Sequence, residues 1–201
     1  MRLAIIDYGA GNLHSIGKAF AAVGCDAEVS ADVEVLRGAD RLVLPGVGAF
    51  AWCMEGLKRG GFDEVVHEHV EKGKPLLGVC VGMQMLFEHS EEFGETPGLG
   101  LLRGRVRRFA TALPVPHTGW NQVRVRAANP LFENIEDDSF FYFVHSFYCE
   151  TADSADAVGV TDYELEYASV VARDNIYGVQ FHPEKSQATG LTLLGNFAKM
   201  D

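Results

Sequence analysis

One cysteine in the sequence stands in a setting that suits a reactive nucleophile. Cys80 lies in residues 78–82 (Gly-Val-Cys-Val-Gly), after an apolar stretch and before a helical pattern. A strand that turns sharply into a helix needs small residues beside the turn, because larger side chains would clash there. The turn would place the sulfur at a helix N-terminus, where the dipole favours a thiolate. The pattern predicts a nucleophile for acyl transfer; the alternative is a buried cysteine in a glycine-rich strand end.

A thiol nucleophile needs a base and a group that orients the base, and His182 with Glu184 can supply both. An apolar stretch over residues 176–181 precedes His182, and Pro183 favours an extended conformation at the residue before it. Residues two apart in an extended segment project to the same side. Glu184 can therefore hold one imidazole nitrogen while the other faces Cys80. The alternative is a His-Pro loop with a solvated glutamate.

Backbone donors for an oxyanion are expected where residues 45–48 (Pro-Gly-Val-Gly) follow another apolar run. Glycines there allow a backbone N–H to approach a bound ligand. Val47 and Gly48, together with the N–H of Val81, are the predicted oxyanion hole. An ordinary tight turn is the alternative for this segment.

The other cysteines and most histidines are expected to have structural roles. Cys25, Cys53 and Cys149 lack the glycine-flanked setting and are assigned to packing. His67 and His69 are two apart on a predicted helix, where a metal-binding pair needs a spacing of four, so both are expected at the surface. These spacings predict no metal site.

The amino-acid composition argues against nucleic acids and membranes as binding partners. The formal net charge is −11, so a dense basic patch for nucleic acid is not expected, and an anionic membrane would repel the chain. No apolar run approaches the roughly 20 residues of a membrane span, and the glycine pattern at residues 9–11 lacks the third glycine of a dinucleotide site. We expect a cytoplasmic protein with reduced thiols and without a cofactor.

The first half of the chain alternates strand-like and helix-like segments, which predicts a parallel sheet covered by helices on both faces. The predicted strands cover residues 3–6, 27–30, 41–44 and 75–79. Helical spacing of apolar residues is found over 16–23 and 62–70, and a further helix is predicted over 82–88.

The second half reads as short strands with antiparallel pairing, followed by a final helix over residues 191–197. Strand patterns occur at 106–109, 122–125, 140–144, 157–161 and 168–172. The sequence contains no evident linker or repeat. The prediction is one α/β domain over residues 1–201, with a mostly parallel central sheet and added antiparallel strands in the C-terminal half.

The glycine-flanked cysteine followed by His-Pro-Glu resembles the class I (triad) glutamine amidotransferases. Further blocks are similar to the glutaminase subunits of imidazole glycerol phosphate synthases, in the same order along the chain. These blocks are residues 7–13 (Asp-Tyr-Gly-Ala-Gly-Asn-Leu), 44–50 (Leu-Pro-Gly-Val-Gly-Ala-Phe), 78–84 (Gly-Val-Cys-Val-Gly-Met-Gln), 116–121 (Pro-His-Thr-Gly-Trp-Asn) and 143–147 (Phe-Val-His-Ser-Phe).

The resemblance implies a flavodoxin-like, three-layer fold and a role for each matching residue. Cys80 would be the nucleophile, His182 the base and acid, and Glu184 the residue that orients it. Glutamine would be bound by Gly48, Gln84, His145, Ser146 and Phe147, and the partner interface would include Asn12 and Trp120.

The resemblance also implies a partner, a (βα)₈-barrel cyclase that forms a heterodimer with the glutaminase. Ammonia would pass through the barrel and react with a ribonucleotide, giving imidazole glycerol phosphate and aminoimidazole carboxamide ribonucleotide. Thr118 stands where the family often has Met, which affects the expected interface, and Val81 stands where it often has Leu.

Three alternatives remain open at this point. The chain could serve another synthase, of the anthranilate or aminodeoxychorismate type, although residues 117–121 (His-Thr-Gly-Trp-Asn) argue against it. It could be a catalytically silent binding subunit, or a cysteine peptidase on the same kind of sheet. The complete set of Cys80, His182 and Glu184 argues against the silent subunit.

Overall fold

The computed structural model describes residues 1–200, and its centre is a sheet of five parallel strands. The helices are α1 (Leu13–Ala22), α2 (Val33–Arg37), α3 (Phe50–Arg59), α4 (Phe62–Glu71), α5 (Val81–Gln84) and α6 (Gln187–Phe197). The strands are β1 (Leu3–Ile6), β2 (Ala27–Ser30), β3 (Arg41–Gly46), β4 (Leu76–Cys80), β5 (Phe87–Ser90), β6 (Thr96–Pro97), β7 (Leu102–Arg108), β8 (His117–Val125), β9 (Ser139–His145), β10 (Phe147–Thr151), β11 (Ala157–Asp162), β12 (Glu166–Arg173) and β13 (Ile176–Val179).

The parallel strands lie in the order β2-β1-β3-β4-β13, which is the arrangement of a flavodoxin-like sheet. Strands β1, β3 and β4 are buried along their whole length, as expected for strands covered on both faces. The helices form two groups, since α1 packs against α6 while α4 packs against α2 and α3. No helix within residues 1–200 is both long and apolar enough to cross a membrane.

Antiparallel strands extend the sheet beyond β13. Strands β13, β12, β10 and β7 follow one another with antiparallel pairing, and β11 links β12 to a hairpin of β8 and β9. The predicted fold class is therefore confirmed, with an all-parallel centre and added antiparallel strands in the C-terminal half.

The segment after Cys80 differs from its prediction. The expected helix over residues 82–88 is a single turn, α5, and Phe87 already begins strand β5. Strand β5 runs parallel to β7 and pairs with it from Phe87↔Leu102 to Ser90↔Val106. This tertiary pairing outweighs the local helical pattern. The helix dipole at Cys80 is correspondingly smaller than expected, because it comes from one turn.

The two glycines around Cys80 are required by close packing. A Cβ at Gly82 would overlap the carbonyl oxygen of Leu44 on β3, and a Cβ at Gly78 would lie 2.7 Å from the carbonyl oxygen of Gly82. Cys80 itself has φ 57° and ψ −114°, in a region that L-residues rarely adopt. The backbone can therefore bend sharply at Cys80, because Gly78 and Gly82 let β4 and α5 approach each other and β3 closely.

Substitution of Gly82 by alanine is expected to lower the free energy of unfolding by more than about 3 kcal/mol, because the added methyl group meets a backbone carbonyl that cannot move freely. Chemical denaturation followed by circular dichroism would measure the change. Gly17→Ala within α1 is the matched control, since its Cβ would make an ordinary 3.8 Å contact with the Val29 side chain on β2. The control should be neutral or stabilising by about 0.5–1 kcal/mol. Equal stability of the two variants would contradict the packing argument.

Candidate active site

Cys80 lies at the carboxyl end of β4, opposite Gly46 of β3. Its side chain is nearly buried, with 3% of the residue exposed. Carboxyl ends of parallel strands are where open α/β sheets bind their ligands. The position and the strained backbone of Cys80 fit a nucleophile presented at the carboxyl end of a central strand.

Strand β13 delivers His182 and Glu184 to the same edge. It runs parallel to β4 with Val179 opposite Val79, so the chain that follows it lies beside Cys80. The backbone N–H of His182 donates to the carbonyl of Tyr142 at 2.9 Å. Its Nδ1 lies 2.9 Å from Glu184 Oε1, which assigns the Nδ1 hydrogen to the carboxylate. The other imidazole nitrogen is then left for Cys80.

Charge controls the proton on His182. Burial of the imidazole lowers its pKa, but hydrogen bonds with Cys80 and Glu184, and the negative charges of both, raise the pKa of His182 to about 10. His182 is thus suited to carry its proton as an imidazolium beside the Cys80 sulfur. Among the side chains of residues 1–200, Glu184 Oε2 is the one buried oxygen or nitrogen without a hydrogen-bond partner. The carboxylate therefore depends on His182 as its cationic neighbour.

A cavity of about 520 Å³ opens in front of Cys80. All the residues predicted to form the oxyanion hole or to bind glutamine line this cavity, together with Cys80 and His182. The lining residues are Val47, Gly48, Cys80, Val81, Gln84, Glu92, Phe93, Arg108, Pro116, Val144, His145, Ser146, Phe147 and His182. Glu184 lies behind His182, and the structure brings the three predicted catalytic side chains together at one end of the cavity.

The two predicted interface residues lie outside this cavity. Asn12 is exposed and caps α1, where its side chain accepts from the N–H of Ser15 at 3.4 Å. Trp120 is 46% exposed on β8 and packs edge-on against Tyr142. Both are placed where a partner can reach them, and their interface role stays a prediction.

Several residues at the site were not predicted from sequence. Glu92 and Phe93 lie in the turn after β5, and the Glu92 carboxylate accepts from the N–H of Phe50 at 2.6 Å. Arg108 reaches the cavity from the end of β7. Gln180 lies between β13 and His182 and contacts Cys80. Glu92 stands in an acidic run typical of a solvated loop, and Gln180 stands in an apolar strand, so only the tertiary structure shows their position.

Two further histidines form a neutral network beside the cavity. His117 Nδ1 lies 3.3 Å from His145 Nε2, and the Tyr167 hydroxyl lies within 3.3 Å of both atoms. The amide of Asn121 donates to His117 Nε2, which leaves Nδ1 of His117 as the donor. Burial lowers the pKa of His117 to about 4 and that of His145 to about 3. Both imidazoles therefore stay neutral near pH 7, unlike His182.

His69 corrects the prediction that it lies at the surface. It is 3% exposed on α4, and its Nε2 lies 3.0 Å from the carbonyl oxygen of Pro75. Burial lowers the pKa of His69 to about 4. The backbone carbonyl before β4 provides the hydrogen bond that a buried imidazole requires, which helical spacing alone does not reveal.

A larger cleft, of about 700 Å³, lies where β10 and β12 diverge. Cys149 lines it, but burial raises the pKa of that thiol well above its usual range. Within residues 1–200, its lining side chains include no histidine that could act as a base. Cys149 therefore remains a packing residue, and the smaller cavity at Cys80 is the candidate active site.

Comparisons with known proteins identify the family of the chain. The family model for class I glutamine amidotransferases matches residues 4–200. The chain therefore belongs to the class I glutamine amidotransferase family. A curated relative from Syntrophotalea carbinolica is 47% identical over 98% of this chain and 100% of its own length. Another from Nitrosospira multiformis is 49% identical over 98% of this chain and 97% of its own. Both are named imidazole glycerol phosphate synthase subunit HisH.

Solved structures support the fold at lower identity. The chain is similar to a crystal structure of a glutamine amidotransferase, with a TM-score of 0.77, 20% identity, and coverage of 98% of this chain and 99% of that one. It is also similar to the structure of PurLQS from Thermotoga maritima, with a TM-score of 0.76, 18% identity, and coverage of 98% and 96%. At these identities the likeness concerns the fold alone.

The buried neutral histidines predict a specific pH dependence of stability. The folded-state pKa values of His69, His117 and His145 lie below the ordinary value near 6.5, so below about pH 6.5 the unfolded chain binds protons that the folded chain excludes. The free energy of unfolding should fall as pH decreases from about 6.5 to 5, by up to about 1.4 kcal/mol per pH unit for each histidine.

Urea denaturation at several pH values between 5 and 7 would measure this slope. His69→Gln should reduce the slope by about one histidine's share, because one of the three proton-binding differences is removed. His14→Gln, at an exposed position, should leave the slope unchanged. A free energy of unfolding that is flat across this range would contradict the assignment of three buried neutral histidines.

Proposed function

We propose that this chain hydrolyses glutamine to glutamate and ammonia at Cys80, as the glutaminase subunit of an imidazole glycerol phosphate synthase in histidine biosynthesis. The observation that carries the proposal is the meeting of Cys80 with the His182–Glu184 pair at one end of a cavity. The names of relatives that align with nearly the whole chain support the particular synthase.

The reaction begins with attack of the Cys80 thiolate on the carboxamide carbon of glutamine. Because its pKa is about 10, His182 carries the proton that the leaving ammonia needs. A glutamyl thioester remains on Cys80. Neutral His182 then takes a proton from water, and the resulting hydroxide attacks the thioester and releases glutamate. Glu184 keeps the imidazole oriented throughout, through its hydrogen bond with Nδ1.

The oxyanion formed at each step is assigned to backbone N–H groups. Val81 is the first residue of α5, and the first N–H groups of a helix have no acceptor within the helix. The second donor is assigned to the Val47–Gly48 segment, which lines the cavity from the end of β3. Gly48 has φ 104°, a conformation that favours glycine. Each such donor contributes about 3 kcal/mol to transition-state stabilisation in comparable sites.

Glutamine is small enough for a cavity of about 520 Å³, and its two charged groups need different partners. Glu92 supplies a carboxylate for the α-ammonium group. We assign the α-carboxylate of glutamine to the backbone of Ser146 and Phe147 and to His145. Gln84 is assigned a polar contact with the bound glutamine. This arrangement orients the carboxamide toward Cys80.

A cyclase partner is assigned to the face that surrounds the cavity mouth. Three exposed apolar side chains, those of Val47, Phe93 and Val144, line the opening. Trp120 and Phe140 are exposed on the adjacent β8–β9 hairpin. Exposed apolar surface of this kind marks a protein-binding site. Ammonia must remain unprotonated to act as a nucleophile, so a partner that covers the mouth and encloses a dry path suits the chemistry.

Two broader assignments accompany this proposal. One hydrophobic core cluster includes buried residues of both halves of the chain, such as Ile5, Val79, Phe141 and Val170, which supports a single catalytic domain. All four cysteines are free thiols, which supports the cytoplasm as the compartment.

The test measures glutamate release from glutamine by the purified chain, alone and with a cognate cyclase carrying its ribonucleotide ligand. Cyclase should stimulate release strongly, because a docked partner completes the site. Cys80→Ala and His182→Ala should each lower the stimulated rate by at least about a thousandfold. Cys25→Ala is the matched control at a thiol remote from the site and should retain full activity.

Different failures of this experiment have different meanings. Equal release with and without the cyclase would overturn the partner while leaving the glutaminase. Full activity of Cys80→Ala would overturn the nucleophile. If release is undetectable under all conditions, although the chain binds the cyclase, the chain is a silent binding subunit.

A further inference from the structure

A buried glutamine beside the reactive sulfur has no part in the triad. Gln180 is 0% exposed, and its side-chain Nε2 lies 3.8 Å from Cys80 Sγ, within the range of a sulfur hydrogen bond. A buried primary amide is costly unless its donors and acceptor have partners. The orientation of this amide therefore decides whether the sulfur faces a donor or an acceptor.

The orientation is fixed by a backbone carbonyl, which can only accept. The carbonyl oxygen of Phe147 lies 3.1 Å from Gln84 Nε2, so this end of the Gln84 amide must be its NH₂ group. The same NH₂ group donates its second hydrogen to Gln180 Oε1, also at 3.1 Å. With its oxygen facing Gln84, Gln180 must present its own NH₂ group to Cys80. A chain of donors thus runs toward the sulfur.

The fold holds both ends of this series of hydrogen bonds in place. His145 Nδ1 lies 2.7 Å from the same Phe147 carbonyl oxygen and donates to it. This hydrogen bond fixes the acceptor at which the series begins. At the other end, the backbone N–H of Gln180 donates to the carbonyl of Ser169 on β12 at 2.9 Å. Gln84 and Gln180 therefore have little freedom to rotate their amides in the opposite sense.

We propose that Gln180 is a further catalytic residue, whose Nε2 hydrogen bond to Cys80 Sγ stabilises the thiolate after its proton has passed to His182. A thiolate accepts a hydrogen bond more strongly than a thiol, so the interaction favours the reactive form. Gln84 acts here as a positioning residue that orients Gln180. The inference rests on the proposed function of Cys80 and extends its machinery by one donor.

The test follows the alkylation of Cys80 by iodoacetamide as a function of pH, with the modified peptide quantified by mass spectrometry so that the other cysteines do not contribute. Gln180→Met keeps a similar shape and removes the donor. Gln180→Glu keeps an acceptor for Gln84 and places a carboxylate oxygen beside the sulfur. Thr161→Val is the matched control, since it removes the buried hydrogen bond that Thr161 Oγ1 donates to Ser169 Oγ, one strand further from Gln180, and keeps the side-chain shape.

The midpoint of the alkylation profile should move to higher pH by about one unit in Gln180→Met, which corresponds to a tenfold change in the thiolate equilibrium. It should move further in Gln180→Glu, where a negative charge adds repulsion. Thr161→Val should keep the wild-type midpoint. In the presence of the cyclase, kcat for glutamine should fall about tenfold in Gln180→Met with little change in KM.

Midpoints within a few tenths of a unit of wild type in both Gln180 variants would overturn the proposal. A shift in Thr161→Val as large as that in Gln180→Met would also overturn it, because the effect would then be structural. Failure of the proposed function has a different signature. Wild-type chain that releases no glutamate would refute the glutaminase, while the alkylation profile would still report the contact between Gln180 and Cys80.

Discussion

The site depends on the parallel pairing of β4 with β13. These strands are distant in sequence, yet Gly78 lies opposite Gly178 and Val79 opposite Val179. The register decides which side chains emerge together at the carboxyl edge, because a shift by one residue would turn each side chain to the other face. Cys80 ends β4, and Gln180 and His182 follow β13, so the three side chains assigned to the chemistry lie at the same carboxyl edge.

Glycines make this register possible. A Cβ at Gly178 would lie 2.7 Å from Met83 Cγ, and a Cβ at Gly46 would lie 2.7 Å from the N–H nitrogen of Gly82. The three central strands and the short helix α5 therefore approach more closely than side chains would allow. The same contacts hold Cys80 in its unusual backbone conformation, which would otherwise relax. The same glycines therefore account for both the close packing and the backbone conformation of Cys80.

The pKa values of the buried histidines in this region are shifted in opposite directions. His117 and His145 are surrounded by aromatic rings and neutral donors, so burial lowers the pKa of each and keeps it uncharged. His182 is also buried, but the charges and hydrogen bonds of Cys80 and Glu184 outweigh burial and raise its pKa. The neutral pair lies beside the cavity, whereas His182 is the imidazole that holds a proton near pH 7. Their roles follow from their neighbours and not from residue type.

The sequence predicts those parts of the structure that rest on local pattern. The five parallel strands, the turn at Cys80 and the His182–Glu184 pair all follow from apolar runs, glycines and proline. Strands β5 and β10 are not predicted, because both pair with β7 and derive their stability from that distant strand. The contact of Gln180 with Cys80 and the burial of His69 depend on tertiary packing in the same way. The local sequence pattern predicts the candidate triad of Cys80, His182 and Glu184. The position of neighbouring donors such as Gln180 is seen only in the three-dimensional structure.

The covalent state of Cys80 during turnover would show whether this cysteine is the nucleophile. The chain, docked with its cyclase, would be mixed with glutamine, quenched in acid within a fraction of a second, and digested for mass spectrometry. We expect a glutamyl group attached through the sulfur of Cys80, formed and lost at rates that match glutamate release. Rapid glutamate release with the Cys80 peptide unmodified at every time, and with Cys80→Ala equally active, would contradict it.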